Sequence, residues 1–256
     1  MKWLRTWLAR ETPIEASPPP SVGDRRVYAI GDVHGRADLL DALLALIARD
    51  DAERGAVTPH IILLGDLVDR GPSSRQVVER VMAMAASGCD VRCLKGNHEE
   101  IFVLAARGDP RAVPVFRKMG GAETLASYGL DPVLFPVMAD GEIATWMLNH
   151  VPRDHIDFLD ALPDSIAMGD YLFVHAGIRP GIAVDAQSGA DLRWIRREFL
   201  EHDGTHPHMI VHGHSISHDV DARANRIGID TGAYYSGRLT AIGLHGDARW
   251  FLQTSD

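Results

Sequence analysis

Five short stretches of this 256-residue chain carry side chains able to bind a metal. Asp32 and His34 lie in GDVHG, Asp66 in GDLVDRG, Asn97 in GNHEE, His175 in VHAG and His214 in VHGHS. Carboxylate, imidazole and amide oxygen, without thiolate, suit a borderline-to-hard divalent ion such as manganese, iron or zinc. These six groups exceed what one catalytic ion with an open position needs. They suffice for two ions when one carboxylate bridges, and Asp66, in the central motif, is the expected bridge. Two ions about 3.5–4 Å apart can clamp a phosphoryl group, and the hydroxide they generate from a shared water is the expected nucleophile. GDLVDRG adds Asp69 and Arg70 in the same loop. Two carboxylates beside a guanidinium suit a site that manages dications and a phosphate together. An Asp/Gly-rich turn with Arg70 in a surface ion pair would explain this loop taken alone. The other four stretches favour the site.

The elements that must position these groups follow from hydrophobic patterning. Each motif comes after an apolar run that reads as a strand: Arg26 to Ile30, Ile61 to Leu64, Val91 to Leu94, Tyr171 to Val174 and Met209 to Val211. After GDVHG, Leu39, Leu40, Leu43, Leu44, Leu46 and Ile47 recur at helical spacing. After GDLVDRG, Ser73 is placed to cap a helix carrying Val77, Val78, Val81, Met82 and Met84. Strand, motif and helix thus repeat about every 30 residues, one βαβ unit each. That pattern sets the first three motifs on the carboxyl edge of one sheet. Residues 107–165 break it with scattered Pro and Gly between short helical pieces, which reads as a helical insert above the sheet edge. Ile227 to Ile229 is a further strand, and 239–244 with 248–252 form a hairpin turning at Gly246 and Asp247. These patterns alone support an α/β sheet with a site at one edge.

Composition narrows the partners. A net charge of -9 repels a nucleic-acid backbone, so an anionic substrate needs local positive charge from ions or a few arginines. Cys89 and Cys93 are too few for a disulfide framework, which fits the cytoplasm. No apolar run approaches the ~20 residues of a membrane span. Residues 1–24 stand apart from the catalytic domain expected over 25–256. Trp3, Leu4, Trp7 and Leu8 make one face of a short amphipathic helix with a basic flank, and a Pro-rich linker follows. The segment lacks the apolar core of a signal peptide. Docking on its own domain or disorder is the plainer reading, and contact with a membrane surface or a partner is the sharper one.

Most of the histidines read as structural. His34, His98, His175 and His214 differ because each follows a strand within a motif. His212, one residue before Gly213, is assigned to the core or to the support of a ligand.

Together the motifs GDVHG, GDLVDRG, GNHEE, VHAG and VHGHS resemble, in order, those of the metallophosphoesterase superfamily. More narrowly, they are similar to the phosphoprotein phosphatases, especially the phage and bacterial branch. The resemblance spans roughly Val27 to Leu244. It implies a β-sandwich flanked by helices, an α/β fold with a dinuclear site at strand carboxyl ends. It implies that Asp32, His34 and Asp66 hold one ion, and that Asp66, Asn97, His175 and His214 hold the other. Manganese is the expected metal, with iron or zinc as alternatives. His98 would be the general acid, oriented by Asp69. Arg70, Arg196 and Asn97 would meet the phosphate. Arg193 and Arg197 are adjacent candidates for the role given to Arg196. Ile216 departs from the GHxH pattern of the nuclease and cyclic-nucleotide branches. The implied activity is hydrolysis of phosphoserine and phosphothreonine in proteins or peptides, with phosphotyrosine as a further substrate. The alternative is symmetrical hydrolysis of diadenosine tetraphosphate, since GG-x-x-T-L-x-S-Y-G at 120–129 resembles both groups. His34 favours the phosphatase, because the dinucleotide hydrolases typically carry Gln there.

Overall fold

The computed structural model describes residues 18–55 and 57–254. Its first strand, β1 (Arg26–Ile30), is buried at every residue. Val27 and Ala29 belong to one hydrophobic cluster, Tyr28 and Ile30 to another on the opposite face. A strand covered on both faces must be apolar along its length, which explains the missing alternation. Arg26 is the exception. Its guanidinium donates to the carbonyls of Asp51, Arg54 and Gly55, closing the C-terminal end of helix α1 (Ala37–Arg54).

After α1 come β2 (Pro59–Leu63), α2 (Ser74–Ala86) and β3 (Val91–Cys93), with β1, β2 and β3 parallel. Helix α1 buries Leu39, Leu40, Leu43 and Ile47, while Leu46, expected on the apolar stripe, is exposed. Ser73 sits at the start of α2 but makes no side-chain cap. Its neighbour Ser74 instead accepts a hydrogen bond from the Asp69 N–H. Helices α3 (Asn97–Ala106), α4 (Val113–Lys118), α5 (Gly121–Ser127), α6 (Asp140–His150) and α7 (Arg153–Asp160) then pack around Phe102 and Phe116.

The chain continues through β4 (Ser165–Met168), β5 (Tyr171–Val174), α8 (Gly189–Trp194), α9 (Arg197–Leu200) and β6 (Met209–His212). It ends with β7 (Asp221–Ala222), β8 (Arg226–Gly228), α10 (Ala233–Ser236), β9 (Thr240–His245) and β10 (Ala248–Gln253). One sheet runs β10-β9-β1-β2-β3 and the other β4-β5-β6-β8-β7. The single sheet read from the residue pattern is therefore corrected to two, the sandwich that the family resemblance implies. The reason is physical. Tyr171 and Phe173 of β5 pack into the core between the sheets, and Leu172 and Val174 pack beneath α8 and α9. Such a strand is apolar throughout whether it extends one sheet or opens a second.

The amphipathic helix expected around Trp3 to Leu8 lies outside the described residues. The boundary expected after residue 24 cuts into the folded body. Val22 is fully buried between the sheets, and its N–H donates to Gly246 O at 3.0 Å. Ser21 N donates to the Asp170 carboxylate at 2.9 Å. Among the described residues no helix is long and apolar enough to cross a membrane.

Candidate active site

Parallel strands of both sheets end at one place. Asp32 and His34 follow β1, Asp66 follows β2, and Asn97 and His98 open α3 just after β3. His175 follows β5 and His214 follows β6. All seven side chains are buried. Asp66 lies between two groups of histidines. His34 Nε2 and His98 Nε2 are 3.6 and 3.8 Å from its Oδ2, and His175 Nε2 is 3.4 Å from its Oδ1. His34, Asp66 and His98 form one cluster of possible ligands; Asp66, His175 and His214 form a second. Asp66 is common to both, the place a bridging carboxylate would take.

The donor set fits a metal. His175 Nδ1 donates to Leu64 O at 2.8 Å and His34 Nδ1 to Val68 O at 2.9 Å. Each ring's Nε2 is then left with a lone pair directed at the centre. His175 Nε2, Asn97 Oδ1 and His214 Nδ1 lie 2.8 to 3.2 Å from one another. Ligand atoms about 2.1 Å from one ion are about 3.0–3.4 Å apart. Converging lone pairs repel unless a cation lies among them. Asp32 Oδ2 accepts the His214 N–H at 2.9 Å, while its Oδ1 is buried with no partner among the described residues, as is His214 Nε2.

Electrostatics divide the histidines. Burial, and then His98, pushes His34 well below the ordinary imidazole range. Burial also lowers His175, and it brings His214 down to about 2. These three rings are neutral, as ligands must be. His98 goes the other way. Burial opposes its charge, but Asp66 and the hydrogen-bonded Asp69 outweigh burial and raise it. His98 Nδ1 donates to Asp69 Oδ2 at 2.7 Å, and Thr124 Oγ1 donates to Asp69 Oδ1 at 2.6 Å. Burial raises the Asp69 carboxyl, and its hydrogen bonds to His98 and Thr124 pull it part of the way back down. Burial, then Asp230, raises Asp32 well above the carboxylate range, as expected where two buried acids face each other.

Close packing explains the glycines of two motifs. A Cβ at Gly96 would collide with Asp66 Oδ1, and one at Gly213 with Asp32 Oδ1. Glu99 completes the frame. Its fully buried carboxylate accepts the N–H groups of Asp66, Leu67 and Gly96 at 2.7 to 2.8 Å, with Val68 at 3.4 Å. It thereby ties the Asp66 loop to the start of α3.

Two arginines border the centre. Arg70 Nη2 is 3.3 Å from His98 Nε2, and its guanidinium lies 4.8 Å over the ring of Tyr234. Of the three candidates between 193 and 197, Arg193 is bound to Gly189 O and lies near Glu100 and Asp164, while Arg197 pairs with Glu201. Arg196 is exposed, and its charge helps to depress His175 and His214. His212 lies apart from the centre, its Nδ1 on Gly213 O and its Nε2 facing Arg226. Glu99, Thr124, Asp230 and Tyr234 were not singled out from sequence. Glu99 is in GNHEE and Thr124 in the 120–129 segment, while Asp230 and Tyr234 follow the strand read over Ile227 to Ile229.

Comparison with known proteins agrees with this geometry. Residues 25–239 match the family model for calcineurin-like phosphoesterases. A symmetrical bis(5'-nucleosyl)-tetraphosphatase of Acidovorax sp. (strain JS42) is 32% identical over 154 residues, 60% of this chain and 44% of that protein. The chain thus spans about half the length of several of the curated relatives it matches. The asymmetrical enzyme PrpE of Bacillus velezensis is 26% identical over 234 residues, 83% of this chain and 86% of that one. A cold-active protein-tyrosine phosphatase from a psychrophilic Shewanella superposes with a TM-score of 0.54 at 21% identity, covering 92% of this chain and 82% of its own. With the family match spanning most of its length, and with candidate metal-binding side chains gathered from loops of both sheets, the chain belongs to the calcineurin-like phosphoesterases.

Proposed function

We propose that this enzyme is a phosphomonoesterase acting on phosphoserine and phosphothreonine in proteins or peptides, with phosphotyrosine as a further substrate. The observation that carries this reading is the Asp69–His98 pair. A serine or threonine alkoxide is a poor leaving group and departs only with a proton delivered to it. A nucleotide phosphate leaves as a stable anion and needs little help. An imidazolium held from behind by a buried carboxylate, itself fixed by Thr124, is the device that the harder departure requires.

The other residues take complementary roles in this reading. Asp32, His34 and Asp66 hold one ion, and Asp66, Asn97, His175 and His214 hold the other, with manganese as the proposed metal. Bound ions supply Lewis acidity to the phosphoryl oxygens and acidify water at neutral pH. Arg70 and Arg196 bind the remaining phosphate charge, and the Asn97 amide adds a polar contact. Cys89 and Cys93 are both free, which suits the cytoplasmic setting proposed here.

A second reading, hydrolysis of dinucleoside tetraphosphates, is favoured by what the Acidovorax and Bacillus relatives are named for. A tetraphosphate bridge carries more charge and calls for more cations beside the site. In the 107–165 segment, Arg107, Arg111, Arg117 and Arg153 are each paired with an acidic neighbour, and among the described residues Lys118 is the one cation of the segment without such a pair. That pairing supports the single terminal phosphate. The test compares both substrates on one manganese-loaded preparation near neutral pH. The phosphopeptide is expected to lead in kcat/KM by at least ~10-fold, about 1.4 kcal/mol of transition-state preference. If the dinucleotide leads, the second reading replaces the first.

A further inference from the structure

Arg70 is held without being neutralised. Among the described residues no carboxylate lies within ion-pair distance of it; its neighbours are His98 Nε2 at 3.3 Å and the Tyr234 ring at 4.8 Å. A carboxylate in the place of that ring would fix the guanidinium equally well but would cancel its charge and occupy its N–H fork. An aromatic face attracts the cation through its quadrupole and leaves the in-plane donors open to an anion.

Tyr234 is half-buried and meets two other rings. Its ring stands edge-on to His34, with centroids 5.6 Å apart at 84°, and Tyr235 braces it at 5.2 Å. The short helix α10 that carries it starts at Gly232, whose N–H donates to Asp230 Oδ1 at 2.9 Å. Arg36 Nη1 donates to Ala233 O at 3.0 Å from the other side. Arg70 needs such support, because its own backbone is left-handed, at φ 70°, with its N–H donating to Gly120 O at 3.0 Å.

We propose that Tyr234 is a positioning residue that orients the Arg70 guanidinium, still fully charged, toward the substrate phosphate. This rests on the phosphate role given to Arg70 above. It predicts a loss of phosphate binding more than of chemistry when the ring is removed.

The test uses the full chain loaded with manganese as wild type, Tyr234→Phe, Tyr234→Leu, Arg70→Ala and the Arg70→Ala/Tyr234→Leu pair. Each is measured for inhibition by inorganic phosphate, for kcat and KM on a phosphopeptide, and for bound manganese. Tyr234→Leu is expected to weaken phosphate inhibition and raise KM by about 3–30-fold, with a much smaller change in kcat. Tyr234→Phe, which keeps the ring, should restore both to within about twofold. In the Arg70→Ala background, Tyr234→Leu should add almost nothing. The proposal is overturned if Tyr234→Leu leaves phosphate inhibition and KM unchanged. It is equally overturned if the loss is as large without Arg70, or if it tracks manganese lost through the His34 contact. If Arg70→Ala itself leaves phosphate inhibition unchanged, the role of Arg70 fails, and the role of Tyr234 falls with it.

Discussion

Replacing Glu99 by Gln preserves shape and reverses the chemistry of one oxygen. In the wild type, Oε2 accepts the N–H groups of Asp66 and Gly96 at 2.8 Å, and Oε1 accepts Leu67 at 2.7 Å. An amide can turn its oxygen to only one side. The better orientation keeps Asp66 and Gly96 and sets an NH₂ group against the Leu67 N–H. Two charge-assisted bonds then weaken by about 1 kcal/mol each, and one buried donor is left unpaired at about 1–3 kcal/mol. Loss of the buried charge offsets part of this. Burial first, and then repulsion from Asp66, lifts Glu99 to about 7, and that repulsion disappears in the variant. A net loss of about 2–4 kcal/mol remains, against about 5–15 for a folded domain. The variant should therefore fold and melt roughly 5–15 °C lower.

The same bonds keep Asp66 in a left-handed conformation at φ 49°. With the loop loosened, a bound ion must impose that geometry itself, and manganese affinity should fall about 10–100-fold. Calorimetric melting in chelator gives the first quantity, and manganese titration well below the melting point gives the second. Ile143→Ala, in the core of α6, is the control: it should lower Tm and leave manganese binding alone. If Glu99→Gln binds manganese as tightly as wild type, or loses no more affinity than that control, Glu99 does not position Asp66.

Other expectations follow from the same geometry. Asp66→Asn should stay folded yet lose most bound metal and nearly all turnover; elemental analysis showing both ions retained would remove Asp66 as the bridge. His98→Asn should keep the metal and lower kcat by ~10²–10⁴ on alkyl phosphates but far less on nitrophenyl phosphate, whose leaving group needs no proton. Equal losses on the two substrates would exclude the acid role. Deleting residues 1–17 should leave turnover and Tm unchanged. Deleting 1–22 also removes the buried Val22, worth about 1.5–3 kcal/mol, and should lower Tm by several degrees.

How far the sequence led depended on how local each feature is. The candidate metal ligands come from strand ends, and a strand end is visible as an apolar run stopping at Gly, Asp or His. Asp66, His175 and His214 were legible for that reason. The pairing of β5 with β6 and not with β3 was not, because a doubly covered strand has the same pattern in either sheet. Arg196 could not be separated from Arg193 and Arg197 until their partners were seen: Glu100, Asp164 and Glu201 engage its two neighbours, while the charge of Arg196 helps to depress His214. Glu99 was printed in a motif already noted, yet its work is with the N–H groups of a loop some thirty residues earlier, and no spacing rule reports that.

Strain joins these observations. The non-glycine residues at positive φ among those described are His34, Asp66, Asp69, Arg70 and His214. Every one of them is a proposed ligand, acid partner or phosphate contact. A left-handed conformation costs such a residue about 1–2 kcal/mol, and a chain does not collect five by accident. Each is held from outside its own segment. Val68 O holds His34, Glu99 holds the Asp66 loop, Thr124 and Ser74 hold the Asp69 N–H, Gly120 O holds Arg70, and Asp32 holds the His214 N–H. Most of these bonds link the loops of the first sheet to one another or to the helical segment, and the Asp32 bond to the His214 N–H joins the two sheets. The distortion brings side chains of one charge and lone pairs of one kind closer than they would settle unaided. That arrangement suits cations, and with Arg70 and Arg196 in the roles proposed for them it also suits a phosphate dianion.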